Sequence, residues 1–207
     1  MRRVYEQGYA FPAEGQRSAI LRGNFVFGLC AVRRSRLIAA GGYDESIRYA
    51  TDWDLWLRLV LDGSTIGCLM TPLASYRLQR GSLSSQRSRM LAGRTQILEK
   101  TARRTDLNAA EREQLALSLR EHRSRFALAR AREALTGGAP DARRVAFAAA
   151  VSRGQPAPTR LKLAAGAVAP KRVGQVLRRR PVETTAGLLV TPAEAFGAPT
   201  DPAAPRP

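Results

Sequence analysis

The stretch Gly41-Gly42-Tyr43-Asp44-Glu45-Ser46-Ile47-Arg48-Tyr49-Ala50-Thr51-Asp52-Trp53-Asp54-Leu55-Trp56-Leu57-Arg58 holds a helix stop, a turn and a helix start in succession. The paired glycines close a short helix over 33–40, and Thr51 is placed to cap the next helix through its hydroxyl. In that helix Trp53, Trp56, Leu57 and Val60 recur at i, i+3, i+4 and i+7, a buried stripe, with Asp52 and Asp54 off it. A carboxylate in a first helical turn is held as an anion by the macrodipole and the free N–H groups. Asp52 therefore suits a base that stays ionised until it accepts a proton.

Working outward, residues 1–18 read as a polar lead-in broken by Gly8, Pro12 and Gly15, and 19–31 as irregular strand and loop lining a cleft. Residues 64–70 and 73–78 read as strands divided by Thr71-Pro72, and 84–103 as a helix leaving the domain. Beyond 105 the pattern turns helical. Asn108 with Glu111 three residues on gives a capping-box start, and Gly137-Gly138 a stop. Further helices are expected over 141–152, 159–168 and 171–180, and the proline-rich 181–207 as a disordered tail.

Several blocks between Arg22 and Ser84 occur in the order found in family 2 glycosyltransferases, inverting enzymes with a GT-A fold. They are Gly23-Asn24-Phe25, Val32-Arg33-Arg34-Ser35, Gly41-Gly42-Tyr43-Asp44-Glu45, Asp52-Trp53-Asp54-Leu55-Trp56-Leu57-Arg58, Pro72-Leu73-Ala74-Ser75-Tyr76-Arg77 and Ser82-Leu83-Ser84. The chain thus resembles the C-terminal half of such a catalytic domain. The resemblance implies an α/β fold: a partial GT-A-like domain over 1–104, a basic α-helical appendage over 105–180 and the disordered tail.

The implied activity is transfer of a sugar from a nucleotide-sugar donor to an acceptor hydroxyl, lipid-linked or on a cell-surface polysaccharide. In the family an acidic pair opens this helix and its second member is the catalytic base. Here the pair is Thr51-Asp52, which keeps the base and replaces the first acid. By the same resemblance Asn24, Asp44, Trp53 and Asp54 would line the acceptor side, and Arg34, Arg77 and Arg80 would face a diphosphate or carboxylate. A divalent cation, Mg or Mn, is expected for the complete enzyme, with its ligands mostly in a separate N-terminal half. On that reading the chain is a truncated or split form, inactive by itself.

Asp52-Trp53-Asp54 has the letters of a metal-binding Asp-x-Asp, but 47–50 is not the buried apolar strand that would deliver such a pair, so no metal ligand is assigned in this chain. Gln79-Arg80 lacks the spacing of the Gln-x-x-Arg-Trp motif of processive synthases, which implies transfer of one sugar per encounter. His122, flanked by arginines, reads as a surface residue.

The net charge is +17, and 31 of the 34 basic residues are arginine. Residues 101–180 hold 18 basic and 6 acidic side chains, a surface drawn to phosphate. The segment has no recognition motif or stacking platform for nucleic acid. The alternative to an enzyme is therefore a basic, non-catalytic interaction module on an anionic membrane surface or a partner protein. Cys30 and Cys68 stand too far apart for a zinc motif and form no disulfide framework. The basic N-terminus has no apolar core behind it, and the apolar run 145–151 is too short to span a bilayer. A cytoplasmic protein, peripheral at the inner face of the membrane, is expected.

Overall fold

The computed structural model describes residues 11–26, 29–69, 86–152 and 154–179. Its helices are α1 (Gln16–Arg22), α2 (Arg34–Ala39), α3 (Thr51–Leu61), α4 (Arg87–Thr101), α5 (Ala109–Gly137), α6 (Ala142–Val151), α7 (Ala157–Val168) and α8 (Pro170–Arg179). Among the described residues there is no strand, so the expected α/β, GT-A-like fold is corrected to a small all-α one.

The local causes are visible. In the segment 64–69, expected as a strand, Ile66 spends its backbone groups on one side chain. Its N–H donates to Gln16 Oε1 at 2.8 Å and its carbonyl accepts from Gln16 Nε2 at 2.7 Å. That amide satisfies locally what a neighbouring strand would otherwise satisfy. The segment 73–78 lies outside the described residues, as does the tail 181–207. Residues 16–22, expected as lead-in and irregular strand, are helical because Ile20 and Leu21 reach the core from a seven-residue helix whose end is capped from elsewhere. Trp53 Nε1 donates to the Ile20 carbonyl at 3.0 Å, and Ser118 Oγ to that of Arg22 at 3.2 Å, serving carbonyls a helix end leaves open.

The main core gathers Ile20, Leu21 and Phe25 with the α3 side chains Trp53, Leu55, Trp56, Leu57 and Val60, and with Ile97 and Leu98 of α4. The Trp53, Trp56, Leu57, Val60 stripe is buried as expected, but α3 is buried more widely: Leu55, Leu59, Leu61 and Asp54 are also inside. The α5 capping box forms as read, with Glu111 N–H donating to Asn108 Oδ1 and Asn108 N–H to Glu111 Oε2. Leu115 of α5 belongs to the main core and Leu119 packs against it, so the helix begins just past the expected 104/105 boundary yet completes the first unit. Its second half carries Ala131 and Leu135 into two smaller clusters with α6, α7 and α8.

Candidate functional site

Asn24 and Asp52, from two separate blocks of the sequence, meet in space. Asn24 Nδ2 donates to Asp52 Oδ2 at 3.0 Å, and the Val26 N–H donates to Asn24 Oδ1 at 3.0 Å, which fixes the direction of the amide. Both side chains are part-buried at the opening of α3, so neither residue is closed off from solvent. The helix start differs from expectation. Thr51 is the first helical residue and not the cap; Ala50 holds the cap position at φ 58°, ψ 32°, and no side chain caps the helix. Ala50 is the one non-glycine residue with positive φ among those described, strain at the residue two before the candidate base.

Two further groups feel the charge of Asp52. Arg94 projects from α4, part-buried, and makes no hydrogen bond or ion pair among the described residues. Burial lowers its pKa, the Asp52 charge opposes that, and Arg125 adds to it, so its charge is desolvated and inclined toward an anion. The Cys30 thiol is pushed up by burial and by Asp52, which keeps it protonated and unfit as a nucleophile near neutral pH.

The other expected site residues divide. Asp54 is 2 % exposed; Arg58 Nε donates to its Oδ2 at 2.9 Å and Lys100 Nζ to its Oδ1 at 2.8 Å. Lys100 also reaches Asp44 Oδ2 at 2.7 Å, while Arg58 holds the carbonyls of Ala40 and Gly42. Burial lowers the Lys100 pKa, but the hydrogen bonds to Asp44 and Asp54 more than reverse this, and Asp44 is held well below the usual carboxylate range by Lys100 and Ser46. Asp44 and Asp54 are thus the two ends of a clamp tying the glycine turn to α3 and α4, and Asp54 has no surface on which to meet an acceptor. Trp53, 1 % exposed, lies in the core against the His122 ring. Arg34 is exposed on α2 and makes no ion pair among the described residues. Arg77 and Arg80 lie outside the described residues.

With Asp54 neutralised by Arg58 and Lys100, Asp52 and Asp54 do not fit a divalent cation, and among the described residues no three His, Cys, Asp or Glu side chains converge on one point. A shallow cleft of about 430 Å³ beside α5, lined by Arg120, Glu121, Arg125 and residues 154–156, does not include Asp52. Reading the sequence missed Arg94, Lys100 and His122. Arg94 and Lys100 stand in a helix with no motif around them, and His122 is 4 % exposed, not on the surface. Its spacing four residues after Ser118, whose carbonyl it meets at 2.9 Å, on a face shared with Leu115, was the available signal. Comparison with protein-family models, with curated proteins and with solved structures finds no match to this chain.

Proposed function

We propose that the chain supplies the base and the acceptor side of an inverting glycosyl transfer from a nucleotide-sugar to a hydroxyl. The observation that carries this is the 3.0 Å contact between Asn24 and Asp52, residues 28 apart and drawn from two of the blocks that resemble family 2 glycosyltransferases. The reading rests on this local arrangement and on the sequence blocks, and not on the helical framework.

Asp52 takes the proton of the acceptor hydroxyl as its oxygen bonds to the anomeric carbon, while the bond from that carbon to the leaving diphosphate breaks on the opposite face. Asn24 holds one carboxylate oxygen and leaves the other to receive the proton. Arg94, a desolvated cation with no ion-pair partner among the described residues, adds attraction for an acceptor bearing phosphate.

The test is incorporation of labelled sugar from nucleotide-sugars into lipid and polysaccharide by membranes of cells whose only copy of the chain is wild type or carries Asp52→Asn. Asparagine keeps the size and the hydrogen bond but cannot take the proton, so incorporation should fall by a factor on the order of 10²–10⁴. Incorporation equal to wild type at equal protein level overturns the reading.

A further inference from the structure

Helices α6 and α7 form an antiparallel hairpin. Arg143, at the start of α6, donates from Nε to the Ala167 carbonyl at the end of α7 (3.1 Å), and Arg160, near the start of α7, to that of Ala150 (3.0 Å). The inner faces are small and apolar: Ala142, Ala146, Ala149 and Ala150 of α6 and Leu163 and Gly166 of α7 are buried.

The outer faces are apolar as well, which a solvated helix does not require. On α7 the exposed positions Leu161, Ala164, Ala165 and Val168 recur at i, i+3, i+4 and i+7, one unbroken stripe. On α6 Phe147, Ala148 and Val151 are exposed at i, i+1 and i+4, one turn beyond the exposed Arg144. Leu161 is 74 % exposed, Val168 75 % and Phe147 61 %, and the α7 positions adjoin along one helix face instead of standing singly. Charge singles out the occupant. Residues 142–179 contain nine basic and no acidic side chains, and Arg144, Lys162, Lys171 and Arg172 are exposed around the stripes. A second copy of the same face would be repelled by this charge. A phosphodiester polyanion would leave the apolar stripes in water. A bilayer with anionic headgroups satisfies both, since the side chains enter the acyl boundary while the guanidinium and ammonium groups stay among the phosphates. No described helix is long and apolar enough to cross a membrane, so contact is parallel to the surface.

We propose that the outer face of the α6–α7 hairpin, flanked by the basic residues of α8, is a docking surface for an anionic lipid bilayer. This does not depend on the role assigned to Asp52. The experiment is co-sedimentation of the full chain, at physiological salt, with phosphatidylcholine vesicles that contain or lack phosphatidylglycerol. The chain is wild type or carries Phe147→Ser, Leu161→Ser and Val168→Ser together; these side chains are exposed, and a circular-dichroism melt checks that the triple variant is folded. The expected result is binding that requires phosphatidylglycerol, falls at least about tenfold in the triple variant, and leaves retention on a heparin column unchanged. Equal binding to vesicles without phosphatidylglycerol, or wild-type binding by a folded triple variant, overturns the proposal. So does a wild-type dimer in gel filtration that the triple substitution dissolves, or a loss of heparin retention that parallels the loss of vesicle binding.

Discussion

Asp52 and Asp54, two residues apart on the first turn of one helix, have opposite surroundings. Asp52 touches Asn24 and keeps solvent access, whereas Asp54 is enclosed between Arg58 and Lys100. Neither lies on the apolar stripe of α3, yet Asp54 is buried. Asp54→Asn leaves two cations facing a neutral amide, and losing one partner of a buried ion pair costs roughly 3–5 kcal/mol. The lower end applies because Lys100 is 40 % exposed and can turn to water. A urea denaturation series should place Asp54→Asn about 3 kcal/mol below wild type and Asp52→Asn within about 0.5 kcal/mol of it; equal stabilities would show the clamp to be idle.

His122 gives a second test at the same scale. Burial, foremost, pushes its pKa down to about 4, below the value of about 6.5 in an unfolded chain. The unfolded state therefore takes up a proton in a window where the folded state does not. Stability from the neutral imidazole is complete above the upper end of that window and is lost as pH falls through it, by up to about 3 kcal/mol. Wild type should lose about 2 kcal/mol more than His122→Leu between pH 7 and pH 4.5, read from urea midpoints at the two pH values. Parallel losses would mean that the ring is protonated in place.

Among the elements, α4 is the one whose seating matters most for the candidate site, because it carries both Arg94 and Lys100. It meets the segment before α3 at Gly93, where a Cβ would lie 2.5 Å from the Tyr49 carbonyl oxygen and 2.8 Å from the Tyr49 Cβ. Alanine is the better helix former by about 1 kcal/mol, but the obstacle is backbone, and overpacking costs about 1–3 kcal/mol. Gly93→Ala should therefore lower the melting temperature, despite the gain in helix propensity. It should also loosen the segment 43–50 that leads into Asp52, seen as faster amide exchange at Tyr49 and Ala50. A raised melting temperature would refute the close packing. The helices α2, α5 and α6 were legible to within a residue or two, since glycine stops, the Asn108–Glu111 box and apolar periodicity all act through local backbone chemistry. Helix α1 was not. A seven-residue helix that ends on carbonyls held by Trp53 and Ser118 owes its existence to partners 33 and 96 residues away.

In the whole molecule α5 is the shared wall, with Leu115 in the main core and Ala131 and Leu135 in the clusters of the hairpin and α8. Arg17 and Glu111 fasten α1 to its first turn at 2.5 Å, each ion shifting the other toward its charged form. The sequence by itself determined the basic charge and its concentration beyond 105, the helix that opens at Thr51 with its buried tryptophans, the start and stop of α5, and Asp52 as a carboxylate at a helix mouth. Each of these follows from composition or from interactions within a few residues along the chain. Only the tertiary structure decided that the described residues build helices and no sheet, that Asp54 faces inward, that the charge of Asp52 acts on Arg94, and that apolar positions of α6 and α7 are left exposed. Those outcomes turn on which surfaces meet across the fold, and burial and long-range hydrogen bonds override local propensity wherever a side chain such as Gln16, reaching Ile66 fifty residues on, satisfies the backbone first.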